Sequence, residues 1–391
     1  MNRTSCTPHR QRGMGLMEIM IGMVIGMLTV LVIMHSMSVS EKYKRTTASG
    51  SDAQTNGAIA LYLIERDLRM AGYGLTSDEI DGIMAVCSTG VVRAYNQNRT
   101  PTDFQFTANS FAPVVIDPAN LPAGDAGSQV VLINYSGTFG MTGAGMPFQQ
   151  QSGASANYKV DNRAGYSLGD LVLAVQPGQD CSVAEITGLP GSSQCSSPNG
   201  QSDVIIHNNG QYNNSYQNCT KIDSTWNKPG GLGVTYTSGK LYNLGPPDQI
   251  VAHAYAVRSG KLTMCNLLTS DCTNAAKVND STVWIQLADD VVGLRAQYGQ
   301  DNGTGGTVDD GIVDSWDTTT PTTYAGWKRI LAARVAVTAR SKQYDKDVVT
   351  GSAPSWQGGS FTLSSNTDWQ HYRYKTFETV TPLRNVIWSR P

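Results

Sequence analysis

The chain of 391 residues has few charges, since Asp, Glu, Lys and Arg make up 15% of it and the formal net charge is −2. Proteins that bind nucleic-acid phosphates need clustered Lys and Arg, so this composition argues against a surface of that kind as the main function. Hydrophobic residues make up 40% of the chain, which excludes wholesale disorder and suffices for one large domain or two ordinary ones.

The motifs of common enzyme classes are also missing. The sequence contains no H-E-x-x-H, no P-loop and no dinucleotide-binding glycine fingerprint. One G-x-S-x-G match, at residues 165–169, is followed by the pattern of a strand, whereas a nucleophile elbow needs a helix after its serine. Three of the five His lie beyond residue 37 and are far apart in sequence. We therefore predict a non-enzymatic protein.

A long apolar run lies near the N-terminus. No charge occurs from Ile19 to Met34, and residues 14–37 contain a single carboxylate, Glu18. At about 1.5 Å per residue, a helix over residues 14–37 spans a bilayer core of roughly 30 Å. Residues 1–13 contain Arg but no acid, which is typical of a flank that faces the cytoplasm. The sequence thus predicts a membrane-spanning half-helix over residues 14–37, after a basic flank over residues 1–13.

The helical pattern continues in a polar segment, residues 38–75. Its apolar residues fall on one stripe, which includes Leu61, Ile64, Leu68 and Ala71. Gly50 and Gly57 interrupt the pattern and predict a bend or a local loosening, and a Gly-Tyr-Gly sequence at residues 72–74 predicts the end of the helix. This half of the helix should therefore be amphipathic and pack on a globular domain.

Residues 76–391 have the pattern of a β-rich domain, with short apolar runs between turn-forming residues. The candidate strands are Pro113 to Asp117, Gln129 to Tyr135, Asp170 to Gln176, Asp203 to His207, Ile250 to Arg258, Val283 to Leu287, Val291 to Tyr298, Ala332 to Arg340 and Tyr372 to Val380. Stretches rich in Gly, Ser, Asn and Gln are predicted to be surface loops, at 136–160, 191–231 and 301–325. The predicted fold class is α+β, a long N-terminal helix packed on a large, mostly antiparallel β-sheet domain.

The junction at residues 12–18, Arg-Gly-Met-Gly-Leu-Met-Glu, resembles the cleavage signal of type IV prepilins. The resemblance implies that residues 1–13 are a leader and that a prepilin peptidase removes it by cutting between Gly13 and Met14. It also implies that the new N-terminus is N-methylated, although Met14 stands where the family usually has Phe. A carboxylate near the start of a spanning helix is costly and is normally kept for function. We predict that Glu18 pairs with the α-amino group of a neighbouring subunit and sets the axial register between subunits; the alternative is a Glu that reaches the lipid headgroups.

Several further segments resemble the PilW family of minor pilins. They are residues 56–57, 64–73, 294–299, 334–337, 372–377 and 382–385. The resemblance implies a minor pilin of a type IV pilus that helps to prime pilus assembly. It also implies a position near the tip, beside other minor pilins, the major pilin and a tip adhesin.

The same resemblance implies a location. The protein would sit in the bacterial inner membrane as a single-pass protein with a periplasmic C-terminal domain, and later in the pilus. Two alternatives stay open: a minor pseudopilin of type II secretion, and a membrane-anchored surface adhesin or lectin whose Asn- and Gly-rich loops bind glycan. Nucleic acid is not an expected partner, because an ordinary half-buried strand explains the basic and aromatic residues of Tyr372 to Lys375 equally well.

An acidic run follows one predicted strand. In PilW-like chains such a run looks like a calcium loop, and here it contains Asp301, Asp309, Asp310 and Asp314. The spacing does not fit the D-x-[DN]-x-[DN]-G pattern of a calcium-binding loop. Both a Ca²⁺ site and a solvated turn closed by Trp316 remain open, and no other cofactor is predicted.

The seven cysteines divide into one in the leader and six in the predicted exported region. Cleavage after Gly13 removes Cys6, and an oxidising periplasm would favour three disulfides among the rest, Cys87, Cys181, Cys195, Cys219, Cys265 and Cys272. The short separation of Cys265 and Cys272 makes them the first predicted pair, because the residues between them could form a hairpin tip. Cys181 with Cys195 is the second, which leaves Cys87 with Cys219, although six cysteines allow fifteen connectivities.

Overall fold

The computed structural model describes residues 15–75, 91–107, 112–137, 145–151, 157–196, 203–304, 306–363 and 367–387. The predicted cleavage site at Gly13 and Met14 and the cysteine Cys87 lie outside these residues. The chain divides into two compact units, with the boundary between Asp52 and Ala53. Between residues 15 and 52, the first unit is helical from Leu16 onwards.

The dominant helix, α1 (Leu16–Met70), begins in the apolar run and continues through the polar segment. Its part Leu16–Glu41 is long and apolar enough to cross a membrane. The α-helix runs through Gly50 and Gly57, so the predicted loosening is wrong. The glycine at position 57 has a packing role instead, because a Cβ there would collide with the ring of Phe377.

The end of α1 is joined to distant parts of the chain. Beyond Met70 the backbone turns at Gly72, whose φ of 77° is readily adopted by glycine. The Gly72 N–H donates to the carbonyl of Asn134 over 2.8 Å. The side-chain amide of Asn385 donates to the carbonyls of Met70 and Ala71, over 3.3 and 3.0 Å. The predicted stop is therefore confirmed, and it is also the place where the helix meets a β-strand and the C-terminal segment.

Besides strands and short 3-10 helices, the described residues beyond α1 form two short α-helices, α2 (Tyr324–Lys328) and α3 (Arg384–Ile387). The strands in the described residues are β1 (Val91–Tyr95), β2 (Asp103–Thr107), β3 (Val114–Ile116), β4 (Val131–Ser136), β5 (Met146–Gln151), β6 (Asn157–Val160), β7 (Leu171–Val175), β8 (Cys181–Glu185), β9 (Val204–Ile206), β10 (Gln211–Asn214), β11 (Thr220–Asp223), β12 (Gly239–Gly245), β13 (Ile250–Arg258), β14 (Lys261–Asn266), β15 (Ile285–Ala288), β16 (Val291–Gln300), β17 (Ser315–Asp317), β18 (Ile330–Arg340), β19 (Ser355–Trp356), β20 (Gly359–Ser360) and β21 (Tyr374–Pro382).

These strands form three main sheets and two small ribbons. The eight-stranded sheet has the order β2-β1-β8-β7-β12-β5-β6-β9, the five-stranded sheet β15-β14-β13-β4-β3, and the four-stranded sheet β17-β16-β18-β21. The ribbons are β10-β11 and β19-β20. Neighbouring strands pair antiparallel except β1 and β8, which are parallel. The fold is therefore α+β with a mostly antiparallel domain, as the sequence predicted.

The nine predicted strands are found, β13 with the predicted bounds and the others with shifted ends, but three predicted loops are only partly loops. The predicted loop 136–160 contains β5 and β6, the loop 191–231 contains β10 and β11 in addition to the predicted β9, and the loop 301–325 contains β17. The apolar content of these strands is low, yet alternate side chains are buried, as for Tyr158 and Val160 in β6 and Tyr212 in β10. A strand needs only one apolar face, so counting apolar residues missed them.

The eight-stranded sheet separates two hydrophobic cores. Leu171, Leu173 and Val175 of β7 face the main core, which also receives Ile64 and Leu68 of α1. The alternate residues of the same strand, Val172 and Ala174, face a second core with Phe148, Tyr158 and Tyr236. A strand buried on both faces is typical of a central layer, so the domain is built of more layers than one sheet on one helix.

The packing of α1 predicts a difference between two isoleucines of the same helix. Ile64 is fully buried in the main core, whereas Ile59 is 45% exposed. Ile64→Ala should lower the free energy of unfolding by about 2–5 kcal/mol, because it leaves a cavity. Chemical denaturation of the purified chain in detergent measures this loss. Ile59→Ala is the matched control, and equal losses for the two variants would contradict the packing described.

Candidate assembly interface

The first part of α1 presents an apolar surface without a cover. Every residue from Leu16 to Glu41 is exposed, and Leu16 and Met27 are 78% and 70% exposed. Large exposed apolar surfaces mark contacts with a membrane or with other protein. The exposed apolar residues of Leu16–Glu41 therefore make this part of α1 a candidate contact surface for lipid or for other protein.

Two polar side chains of this segment, those of Thr29 and Glu18, form hydrogen bonds within the helix. The Thr29 hydroxyl donates to the carbonyls of Ile25 and Gly26, over 3.0 and 2.8 Å. Glu18 Oε2 accepts from the backbone N–H of Gly15 over 3.2 Å. Gly15 precedes the first helical residue, so Glu18 reaches back to it as the acid of a capping box does.

Sequence reasoning missed this capping role of Glu18. A carboxylate in the first turn also interacts favourably with the helix dipole, so the residue helps to start α1. The pairing of Glu18 with a neighbouring subunit stays a prediction.

The second part of α1 carries a buried carboxylate, Asp67, on its sheet-facing side. Its residue is 0% exposed. Asp67 Oδ2 accepts from the Tyr255 hydroxyl over 2.6 Å and lies 2.8 Å from His253 Nδ1. Oδ1 accepts from the Tyr135 hydroxyl and from the Arg66 guanidinium. A buried carboxylate without such partners costs several kcal/mol, so these contacts fix α1 against β4 and β13.

The electrostatics of the Asp67 cluster favour an ionised acid among neutral phenols. Burial is the largest single effect and raises the pKa of Asp67, but hydrogen bonds with His253 and Tyr255 and charge interactions with His253 and Arg66 together lower the pKa below its usual value. Burial, with a smaller contribution from the Asp67 charge, raises the pKa of Tyr135 to about 12. The same causes raise the pKa of Tyr255 far above its usual range. Asp67 is therefore a stable acceptor at neutral pH.

A sequence signal for this cluster exists. Asp67 lies three residues after Ile64 and four before Ala71, on the apolar stripe of the helix. A carboxylate on a core-facing stripe needs donors from the elements that cover it. The donors Tyr135 and Tyr255 lie 68 and 188 residues after Asp67 in the sequence, so no local pattern identifies them.

The acidic run forms a loop that its own carboxylates hold together. Asp301 is fully buried, and its two oxygens accept from the backbone N–H groups of Asp309 and Gly311, over 2.7 and 2.8 Å. Asp314 accepts from the N–H of Gly303 over 2.6 Å. Among the described residues, no three His, Cys, Asp or Glu are grouped so as to hold a metal ion. Calcium binding by Asp301, Asp309, Asp310 and Asp314 stays a prediction, and the hydrogen bonds already explain the carboxylates Asp301 and Asp314.

The enzyme-like features lie apart. Ser167 precedes strand β7 rather than a helix, and its N–H donates to Asp170 over 2.7 Å, so it does not form a nucleophile elbow. The three candidate His have different neighbours: His253 contacts Asp67, His207 stacks on Tyr158, and His371 stacks on Tyr344. These positions do not converge on one site.

The disulfides agree with one predicted pair and correct another. Cys265 is bonded to Cys272, as the short separation predicted. Cys195 is bonded to Cys219, so the predicted pairs of Cys181 with Cys195 and of Cys87 with Cys219 are wrong. Cys181 is itself disulfide-bonded. Cys181 and Cys195 were paired because they are close in sequence. The antiparallel pair β10 and β11 folds the chain after Cys195 back on itself, and Cys219, just before β11, is the actual partner of Cys195.

Comparison with known proteins adds one match. Residues 254–385 match the family model described as Type IV Pilus-assembly protein W. This segment includes all of the four-stranded sheet and also Tyr255 of the Asp67 cluster. No curated protein and no solved structure matches the chain.

The Asp67 cluster predicts a large effect of a small substitution. Asp67→Asn keeps the size of the side chain but removes its charge, and it should lower the free energy of unfolding at pH 7 by roughly 2–4 kcal/mol. Denaturant titration of the full chain in detergent measures the loss. Asp289→Asn is the control, because Asp289 has a side chain that is 58% exposed, and it should change little.

The same pair of proteins tests the direction of the pKa shift. A carboxyl whose pKa is lowered by folding stabilises the protein above its unfolded pKa of about 3.9 and loses that contribution as the pH falls through the folded pKa. The stability advantage of the wild type over Asp67→Asn should therefore shrink as the pH falls below about 4. An advantage that stays constant between neutral and acidic pH would contradict the lowered pKa.

Proposed function

We propose that the chain is a minor pilin of a type IV pilus, and the match of residues 254–385 to the family model described as Type IV Pilus-assembly protein W supports this. The observation that carries the proposal is the division of α1. The helix is exposed and apolar from Leu16 to Val39, whereas Ala60, Ile64 and Leu68 of the same helix are buried in the β-sheet domain. One element thus serves as an anchor at one end and as part of a folded core at the other.

The apolar half of α1 suits transfer from lipid to a bundle of helices. Lipid tails and apolar side chains are similarly apolar, so moving this helix from lipid into a bundle costs little free energy. Packing and polar contacts between helices then decide how the helices are arranged. In the proposed bundle, Glu18 faces the α-amino group of Met14 of a neighbouring subunit. Because charges interact strongly in an apolar medium, this pair would favour one axial position over others.

The β-sheet domain would supply the surfaces that touch the other minor pilins, the major pilin and the tip adhesin. The proposed subunit sits in the inner membrane with this domain in the periplasm, and then near the pilus tip, where it helps to prime assembly. In this role it acts by binding rather than by catalysis, and a rigid link between helix and sheets is needed to transmit position. The Asp67 cluster provides such a link within the domain.

Two other functions would give different results in the native organism. A type II secretion pseudopilin should co-purify with secretion components rather than pilus components. A surface adhesin should leave piliation normal and abolish attachment when its gene is deleted. The minor-pilin proposal expects loss of piliation and co-purification with other minor pilins.

Processing of the N-terminus gives the first test. We expect the mature protein to begin at Met14 and to carry an N-methyl group, because the leader residues match the prepilin signal. Mass spectrometry of the N-terminal peptide from purified membranes measures both. A mature chain that begins at Met1, or after residue 37, would contradict the proposal.

The role of Glu18 gives the second test. Glu18→Gln should be cleaved normally and remain in the membrane, yet enter sheared pili in much smaller amounts, because the amide cannot pair with an ammonium group. Immunoblots of pilus and membrane fractions measure the ratio. Glu41→Gln changes the same residue type on the same helix and should assemble normally. Equal incorporation of both variants would exclude the register role.

A further inference from the structure

A cavity of about 330 Å³ opens beside the eight-stranded sheet. Its lining comes from β6, from β8, from residues 207–209 and from residues 226–234. All of these residues lie outside the family-matched segment, residues 254–385. The cavity therefore lies in a part of the chain that the family model does not match.

The cavity combines aromatic rings with neutral polar groups. Tyr158 and His207 stack with ring centroids 4.4 Å apart and an interplanar angle of 19°. Burial lowers the pKa of His207 to about 4, so its ring is neutral at physiological pH. Tyr158 and Trp226 are only 1% and 4% exposed, so the partly exposed ring of His207 is the main aromatic surface that a ligand can touch. The lining also includes the amides of Asn208, Asn209 and Asn227.

Charge is scarce in the lining. None of the described residues that line the cavity is Asp or Glu, and Lys228 is its only Lys or Arg. Lys228 Nζ lies 2.8 Å from the carboxylate of Asp103, which balances its charge. An anionic ligand would have to compete with Asp103, so the cavity is better suited to an uncharged ligand.

A buried acid fixes the wall of the cavity. Glu185 is 3% exposed and accepts from the Tyr212 hydroxyl over 2.5 Å and from the Ser224 hydroxyl over 2.9 Å. Its second oxygen also accepts from the N–H groups of Thr225 and Trp226, over 2.8 and 3.0 Å. These contacts hold the backbone at Trp226 in place, so the wall is formed before any ligand arrives.

The neighbouring amide is held in the same way. Asn227 Oδ1 accepts from the Glu185 N–H over 2.8 Å, and its Nδ2 donates to the Glu185 carbonyl over 2.7 Å. The side-chain amide of Asn227 therefore holds the wall of the cavity in place by bonding the backbone of Glu185. Asn208 and Asn209 are exposed residues of the lining and are in a position to meet a ligand from solvent.

We propose that this cavity binds a neutral sugar residue of a glycan. The volume is within the range of small-molecule sites and suits one or two sugar rings. A pyranose has apolar C–H faces that pack on aromatic rings and hydroxyl groups that exchange hydrogen bonds with amides. The scarcity of charge favours a neutral sugar over an acidic sugar or a phosphate-bearing ligand. The proposal does not depend on the protein's being a pilin.

The test uses the full chain in detergent micelles and immobilised polymers that carry galactose, N-acetylgalactosamine, N-acetylglucosamine, glucose, mannose or fucose. A polymer with N-acetylneuraminic acid represents acidic sugars, and an unsubstituted polymer represents the background. Biolayer interferometry measures binding. We expect at least one neutral sugar to bind above the background and to be displaced by the same free monosaccharide.

Two variants connect binding to the cavity. Asn209→Asp changes one exposed amide to a carboxylate and should weaken binding by about tenfold. Asn279→Asp makes the same change at an exposed residue outside the lining and is the matched control. His207→Ala removes half of the aromatic stack and should also weaken binding. Thermal unfolding of each variant verifies that the fold is kept.

Several results would overturn the proposal. They are binding to no neutral sugar, binding only to the acidic polymer, and equal binding by the wild type and Asn209→Asp when both are folded. Loss of binding equally in Asn209→Asp and Asn279→Asp would also overturn it. Because binding is measured on the isolated protein, a failure here leaves the results on processing and pilus incorporation unaffected.

Discussion

The hydrogen bonds of the Asp67 carboxylate are the constraint on which the rest of the domain depends. Hydrophobic packing alone lets a helix slide on a sheet with little loss of free energy. A buried carboxylate prevents such sliding, because it is stable only where its donors lie within hydrogen-bond distance. Tyr255 and His253 of β13 and Tyr135 of β4 supply these donors. The helix is therefore fixed in both rotation and translation over the five-stranded sheet.

The same device recurs elsewhere in the domain. Asp170, Glu185 and Asp301 are buried, and their described partners are hydroxyl, amide and backbone N–H groups rather than Lys or Arg. Each of these acids forms hydrogen bonds that stabilise a loop with few apolar residues. A chain with only 15% charged residues thus places several of its acids inside, where they replace the small hydrophobic clusters that usually hold long loops.

Local patterns in the sequence sufficed for α1, its end at Gly72, most strands of the five- and four-stranded sheets and the bond between Cys265 and Cys272. Those features depend on periodicity or on short separations. The two-core arrangement and the bond between Cys195 and Cys219 depend on polar strands whose single apolar face is easily overlooked. The Asp67 cluster was predictable only in part. The position of Asp67 on the apolar stripe can be read from the sequence, but its donors come from distant strands.

The contact between Asn385 and the end of α1 has a consequence for the order of folding. Asn385 lies 314 residues after Ala71, and it supplies a hydrogen bond to a carbonyl that the helix itself leaves unpaired. During synthesis the helix emerges first, whereas the side chain that bonds the Ala71 carbonyl, just after the last helical residue, emerges far later. A polypeptide that ends before Asn385 would leave this carbonyl to water, so the junction can form only after nearly the whole domain has been translated.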